Sequence, residues 1–277
     1  MIVMGVVNVT PDSFSDGGEY FSHAKAVAHG IELFAQGAQM VDVGGESTRP
    51  FADTVSEDEE LRRVVPVVRV LSQYGFVSVD TRHEKVAEKS VENGAKLIND
   101  ISGTLAPVAA RCNVPWVAMH MKGNPKTMQL SPTYEDVVEE VLNFLRLKIE
   151  EALSMGVPKV IVDPGIGFGK TALHNLQLLK SIGRFRELGC AVLVGTSRKG
   201  FLSKLSVADK TPPPPKDRED HQLAVEAWCA LNEVSIVRVH DVKKTVLLLE
   251  LHDKAELAYR EQEAKRKQQK FNQPSPS

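Results

Sequence analysis

The feature that most limits the fold is a repeated alternation: eight short, β-branched apolar runs, each followed by a longer segment patterned like an amphipathic helix. The runs cover residues 2–7, 40–43, 76–79, 96–98, 116–119, 160–162, 191–194 and 234–239. They are almost continuously apolar rather than alternating, as strands covered on both faces of a parallel sheet are. Between them, 22–36 sets Val27, Ile31 and Phe34 on one stripe, and 57–74 opens on acidic residues, which suit a helix N-terminus. Segments 83–93, 134–155 and 173–188 repeat the pattern. Gly37, Gly75, Gly94, Gly156 and Gly189 follow these segments and read as C-terminal stops needing positive φ, not as ligands.

Eight strand–helix units in about 260 residues predict an α/β fold, a single-domain (β/α)8 TIM barrel, over 1–258. An open doubly wound sheet would use five or six strands and carry Gly-x-Gly-x-x-Gly after the first, which this chain lacks. Pro212 to Pro215 reads as a stiff surface loop. Residues 259–277 read as a polar, disordered tail, because 260–277 holds five Lys or Arg against two Glu and ends Asn-Gln-Pro-Ser-Pro-Ser.

Charge narrows the partners. The net charge of −2 gives the chain no basic field for nucleic acid or an anionic membrane, so any anion must be held by local groups. Cys112, Cys190 and Cys229 form no Cys-x-x-Cys pair, which argues against a disulfide scaffold or thiolate metal site. No apolar run nears the ~18 residues of a membrane span. The start lacks the basic n-region and cleavage site of a signal peptide, so a cytoplasmic location is expected. The chain begins directly on its first strand and could form one domain of a longer polypeptide.

In a parallel barrel, active sites are built where the strands end. The first polar residues there are Asn8; Glu46, Ser47, Thr48 and Arg49; Asp80; Asn99 and Asp100; His120; Asp163; Ser197, Arg198 and Lys199; and, two apart on one strand face, Arg238 and His240. One such residue could as well be a helix cap; so many converging on one mouth are not explained by capping alone. Asp80, Asp163 and Asn99 suit a flat heterocycle presenting several N–H donors, with Lys199 donating to its carbonyl or ring nitrogen. Arg238, His240 and Asn8 suit a phosphate or pyrophosphate, and Asn8 could also ligate Mg²⁺ through its side-chain oxygen. Gly169-Lys170-Thr171 imitates the end of a P-loop, but Pro164 stands at the first glycine position. His23, His29, His83, His174 and His252 fall in helical segments and read as surface or packing residues; His120 and His221 stay open.

Several of these stretches together resemble the dihydropteroate synthase family. They are Asn-Val-Thr-Pro-Asp-Ser-Phe-Ser-Asp-Gly-Gly (8–18), Asp-x-Gly-Gly-Glu-Ser-Thr-Arg-Pro (42–50), Asn-Asp-Ile-Ser-Gly (99–103) and His-Met-x-Gly-Asn-Pro-Lys-Thr-Met (120–128). Asp-Pro-Gly-Ile-Gly-Phe-Gly-Lys (163–170), Ser-Arg-Lys (197–199) and Arg-Val-His-Asp-Val (238–242) complete the set, which runs to about residue 253. The resemblance implies condensation of 7,8-dihydropterin-6-ylmethyl diphosphate with p-aminobenzoate, giving 7,8-dihydropteroate and pyrophosphate. It implies that Asp80, Asn99, Asp163 and Lys199 hold the pterin, and that Asn8, Arg238 and His240 hold the pyrophosphate with Mg²⁺. It also implies that Phe14, Ser15 and Asp16 of the first loop close with Thr48 and Arg49 of the second over p-aminobenzoate, whose pocket Phe168, Ser197 and Lys199 line. Asp80, Lys199, Asp16 and Arg49 are the implied catalytic residues. A homodimer through the C-terminal barrel helices, and fusion to the kinase that makes the pterin substrate, belong to the same implication.

The chain departs from the family at Phe51, where glycine is usual after Thr-Arg-Pro; the ring is expected to disfavour sulfonamides, bulkier mimics of p-aminobenzoate. The segment 227–233 is also less glycine-rich than the family's. A methyltransferase barrel acting on a folate would share the pterin-holding Asp and Asn but would not need Thr-Arg-Pro, Ser-Arg-Lys or the Arg-Val-His pair. A non-catalytic pterin-binding or scaffold relative is the other alternative, against which every matched position holds a competent residue.

Overall fold

The computed structural model describes residues 1–9, 18–46, 54–123, 128, 131–195, 197, 199, 201–202 and 219–271, with the side chains of 18–22, 219–220 and 269–271 excepted. Eight parallel strands close into a barrel in sequence order, β8 pairing back onto β1. The strands are β1 (Ile2–Asn8), β2 (Met40–Gly44), β3 (Phe76–Asp80), β4 (Leu97–Asp100), β5 (Trp116–Met119), β6 (Val160–Asp163), β7 (Ala191–Gly195) and β8 (Ile236–Val239). The helices are α1 (Gly18–Ala35), α2 (Glu57–Leu71), α3 (Glu84–Glu92), α4 (Ala106–Cys112), α5 (Val137–Ser154), α6 (Ala172–Lys180), α7 (Glu219–Leu231) and α8 (Val242–Phe271). All eight apolar runs are strands, and the (β/α)8 expectation holds.

Residues of alternate parity fill the inside. Met4, Met40, Leu97, Val117, Ile161, Leu193 and Ile236 form a separate buried cluster in the barrel lumen. The opposite faces of the strands pack with the helices in the main core, which includes Val41, Val43, Val67, Leu71, Leu145 and Phe185. Because side chains alternate along a strand, two steps up from the luminal cluster place Asp42, Asn99, Asp163 and Arg238 inside as well. One apolar layer thus plugs the lumen, and polar groups top it.

Local signals behave as their chemistry requires. Ser56 caps α2 by accepting from the Glu59 amide, and Glu57, Asp58, Glu59 and Glu60 fill its first turn. Asp136 caps α5 through the amides of Val138 and Glu139. Gly37, Gly94, Gly156 and Gly189 have the expected positive φ.

Gly75 does not. A methyl there would lie 2.5 Å from the ring of Phe34, so this glycine admits α1 against the start of β3 rather than reversing the chain. The segment 173–188 also divides, α6 ending at Lys180 and a 3-10 helix following over Ile182–Leu188. At the C-terminus, α8 runs to Phe271, so 259–271 are helical rather than without structure. Glu, Lys, Arg, Gln and Ala are good helix formers and carry the exposed end of the helix without a packing partner.

Candidate active site at the C-terminal mouth of the barrel

Arg238, at the top of β8, organises the luminal floor. Its Nε donates to Asp42 Oδ2 at 2.6 Å and its Nη2 to Asp80 Oδ2 at 2.7 Å. Asn99 Nδ2 donates to the same Asp42 oxygen at 2.8 Å. Asp42 is fully buried and Arg238 keeps 22% of its side-chain surface, so the cation bridges a closed floor and an open mouth. The other Asp42 oxygen, Oδ1, is buried without a partner among the described residues. Burial raises the Asp80 carboxyl to about 7, with Arg238 opposing and Asp42 adding to the rise.

Across the mouth, Asp163 is buried and its Oδ1 accepts from the Gly165 amide at 2.7 Å. Burial raises this carboxyl too, against that hydrogen bond and the charge of Lys199. Lys199 Nζ stands 3.9 Å above the Phe168 ring. Burial lowers its ammonium to about 8, Asp163 countering and Arg238 assisting. The floor therefore offers acceptors on two sides and a cation between an acid and an aromatic face.

The β6 loop that carries Phe168 is held by Lys170. Its Nζ reaches Gly165 O at 2.9 Å, Phe168 O at 3.0 Å, His120 O at 3.3 Å and His120 Nδ1 at 2.9 Å. Gly165 and Gly169 have positive φ, and a side chain at either would overlap backbone of the β5 loop, the carbonyl of His120 or of Lys122. His120, left open by the sequence, is buried and pulled down to about 3, by burial first and Lys170 second, so it is neutral and structural.

His240 lies just past β8, with Nδ1 2.8 Å from Ser197 Oγ. Asn8 is exposed at the end of β1, sharing the inward parity of Met4. An amide oxygen in that place fits Mg²⁺, a hard cation that takes few protein ligands and completes its shell with phosphate oxygens and water. Among the described residues one other group of possible metal ligands occurs, Glu46, Glu60 and His83. Arg82 holds Glu46 through two hydrogen bonds, and His83 Nδ1 pairs with Glu60 at 2.5 Å. Glu46 also accepts from the Val55 amide at 3.1 Å, tying together the two ends of the second loop.

The structure thus brings Asp80, Asn99, Asp163, Lys199, Phe168, Ser197, Arg238 and His240 to one mouth, with Asn8 at its rim. Phe14, Ser15, Asp16, Thr48, Arg49 and Phe51 lie outside the described residues. Asp100 turns the other way: it accepts from the amides of Ser102, Thr104 and Leu105 and from Trp116 Nε1, and so shapes the β4 loop. His83 and His174, expected as surface or packing residues, have local polar partners: His83 pairs with Glu60, and the His174 ring accepts from the Thr171 amide in the capping box of α6. Asp42, Lys170, Gln222 and Glu226 carry no role in the sequence reading. For Asp42 a signal existed, an acid between Val41 and Val43 inside an otherwise apolar strand.

Comparison with known proteins identifies the family and supports the fold. The family model for pterin binding enzymes matches residues 4–240. The dihydropteroate synthase of Escherichia coli (strain K12) is 43% identical over 252 residues, 88% of each chain. The Yersinia pestis dihydropteroate synthase, solved as a sulfonamide drug complex, superposes with a TM-score of 0.85 at 41% identity, covering 92% of this chain and 94% of that one. The Xanthomonas albilineans dihydropteroate synthase in complex with 7,8-dihydropteroate gives a TM-score of 0.81 at 38% identity, covering 92% and 93%.

Proposed function

The chain belongs to the family of pterin binding enzymes, and from that membership we infer that it acts as a dihydropteroate synthase. It condenses 7,8-dihydropterin-6-ylmethyl diphosphate with p-aminobenzoate, giving 7,8-dihydropteroate and pyrophosphate. The observation that carries this reading in the chain itself is the Arg238 bridge between Asp42 and Asp80 beside Asn99. That arrangement puts acceptors for a heterocycle's N–H groups directly beside a guanidinium able to face an anion.

The chemistry follows from the charges. The bond from the methylene carbon to the diphosphate oxygen breaks, and its electron pair leaves with pyrophosphate. The aryl amine, neutral at pH 7, forms the new C–N bond through its lone pair and then releases a proton to solvent. No strong base is needed at the nucleophile; the demanding event is separating an anion from a carbon that becomes cationic. Arg238 and His240 receive the negative charge, while Asp80 stabilises positive charge on the pterin and Asp163 and Asn99 orient it. Lys199, between Asp163 and Phe168, donates to the ring system and borders the p-aminobenzoate pocket with Phe168 and Ser197. Mg²⁺ held at Asn8 would add charge neutralisation at the pyrophosphate. Asp16 and Arg49, with Phe14, Ser15 and Thr48, are assigned to the two closing loops, which exclude water that would otherwise trap the cation.

A homodimer fits the exposed apolar residues Trp228 and Leu231 on α7 and Leu247, Leu251 and Leu257 on α8. Among the described residues no helix is long and apolar enough to cross a membrane.

The direct test is pyrophosphate release from the pterin diphosphate in the presence of Mg²⁺, with and without p-aminobenzoate. Release that depends on p-aminobenzoate supports the assignment. Folded protein that binds pterin but never turns over would favour a non-catalytic relative.

A further inference from the structure

Behind His240 a chain of buried polar groups leads out of the mouth and into the helical layer. His240 Nδ1 lies 2.8 Å from Ser197 Oγ, which also accepts from the His240 amide at 3.3 Å. Ser197 Oγ donates to Gln222 Oε1 at 2.6 Å, and Gln222 Nε2 donates to Glu226 Oε1 at 2.6 Å. Thr245 Oγ1 stands 2.8 Å from Glu226 Oε2 and 2.8 Å from the Asp241 carbonyl. Gln222 and Glu226 are one turn apart on α7, and Ser197, Gln222, Glu226 and Thr245 are all buried.

Counting protons gives this chain a direction. A carboxyl oxygen facing an amide NH₂ must accept, so Gln222 has to turn its carbonyl towards Ser197. Ser197 has one hydroxyl proton, and Gln222 receives it. At His240 Nδ1 the serine oxygen can then only accept, so Nδ1 must carry a hydrogen. The far end closes in either charge state of Glu226. An ionised carboxylate accepts from Thr245. A neutral one donates from Oε2 to Thr245, whose own proton passes to the Asp241 carbonyl. Burial lifts the Glu226 carboxyl to about 7 against the hydrogen bonds from Thr245 and Gln222, and above that value the carboxylate can only accept at Oε1.

We propose that Glu226 is a positioning residue: by accepting from Gln222 it fixes the direction of the Gln222–Ser197–His240 chain and keeps the proton of a neutral His240 on Nδ1. Part of the inference rests on the function proposed above, since it is that function which places His240 at the pyrophosphate. With Nδ1–H committed to Ser197, Nε2 is the nitrogen that answers to an anion. It becomes a donor when the ring is an imidazolium, whose second N–H the chain already accommodates. Without an acceptor at 226, the Gln222 amide can turn over, Ser197 can donate to Nδ1, and the neutral ring would hold its proton on Nε2 instead.

Glu226→Leu removes the acceptor, and Glu226→Gln keeps an oxygen at the same place. Long-range ¹H–¹⁵N correlation on histidine-labelled protein at about pH 8, above the ordinary imidazole value, reads the His240 tautomer, with His240→Gln identifying the signal. The wild type and Glu226→Gln should show Nδ1–H, and Glu226→Leu should show Nε2–H. In the same variants, the KM for the pterin diphosphate should rise roughly 10-fold or more in Glu226→Leu and recover in Glu226→Gln. The KM for p-aminobenzoate should change much less. An unchanged tautomer in Glu226→Leu, or equal increases in both KM values, overturns the proposal. If Glu226→Leu does not fold, Gln222→Met cuts the same chain at constant shape, and retention of Nδ1–H there overturns it equally. Failure of the wild type to turn over would sink the function instead, and would leave the tautomer result standing.

Discussion

Arg238 and Asp42, 196 residues apart in the chain, meet at 2.6 Å in the floor beneath the barrel mouth. Asp42 has no exposed surface, and it is the hinge of two interactions, accepting from Arg238 and from Asn99 at one oxygen. Removing it leaves a guanidinium and an amide without their acceptor. Asp42→Ala should therefore cost about 3 kcal/mol in chemical denaturation, the low end for a broken buried pair because Arg238 stays linked to Asp80 and partly solvated. It should also lower kcat/KM for the pterin diphosphate by at least ~10-fold, since Arg238 is then held by Asp80 alone and can shift. Asp42→Asn retains an acceptor and should be milder in both assays. Unchanged stability in Asp42→Ala would show that the bridge does not hold the floor together.

The opposed charges of Asp80 and Lys199 predict a narrow pH optimum. Asp80 must be ionised to accept a pterin N–H and to stabilise positive charge. Its carboxyl is raised to about 7, by burial first with Arg238 opposing, so activity should fall as pH drops through that value. Lys199 must be protonated to donate; lowered to about 8, again by burial with Asp163 opposing, it should lose that role as pH rises through 8. The profile of kcat/KM for the pterin diphosphate should be a bell with its top between the two, both limbs belonging to the interacting set of groups. Lys199→Arg should push the alkaline limb up by more than ~1 unit, because a guanidinium keeps its charge. A flat profile from pH 6 to 9 would remove both groups from the rate-determining chemistry.

The limits of the sequence follow from what burial does to pattern. The strands were legible because both faces are covered, leaving runs such as Val160–Val162 and Val192–Val194 that no helix or surface strand would need. The positions after those runs then pointed to Asp80, Asn99, Asp163 and Lys199, and Arg238 stood out as a charge within the last run. Asp42 was obscured because it lies inside its strand rather than past its end, and sits below the mouth. Lys170 looked like a failed phosphate-loop lysine, and only the fold shows three carbonyls turned on its Nζ. Gln222 and Glu226 lie on a helix, where a buried polar pair and a solvated one have the same spacing. Gly75 ends a helical segment, which is compatible with a positive φ or with a close approach, and spacing alone does not separate the two.

The carbonyl cage of Lys170 gives a third test. Lys170→Met keeps the length and apolar stem but removes the donor, leaving the buried Gly165 and Phe168 carbonyls without it. The Gly165 carbonyl still accepts from the Phe168 amide, so the loss should be about 1–3 kcal/mol by denaturant unfolding, the desolvation cost of the Phe168 acceptor. Because Phe168 borders the proposed p-aminobenzoate pocket, KM for p-aminobenzoate should rise more than KM for the pterin diphosphate. Wild-type stability and equal KM ratios would mean that the loop holds its shape without the lysine.

The contact of Gly75 with Phe34 can be tested far from the chemistry, at the N-terminal end of β3. A β-carbon at 75 would sit 2.5 Å from Phe34 Cε1 and 2.8 Å from Cζ, closer than packed atoms allow. Either the ring must rotate or α1 must shift away from the barrel, and overpacking of this kind costs about 1–3 kcal/mol. Gly75→Ala should therefore lower the unfolding midpoint while leaving kcat unchanged. Trimming the ring should relieve the clash, so that Gly75→Ala costs at least ~0.5 kcal/mol less in a Phe34→Leu background. Backbone strain from a left-handed conformation would behave differently, because its cost is intrinsic to residue 75 and would survive the loss of the ring. Equal penalties in the two backgrounds would sink the packing explanation for this glycine.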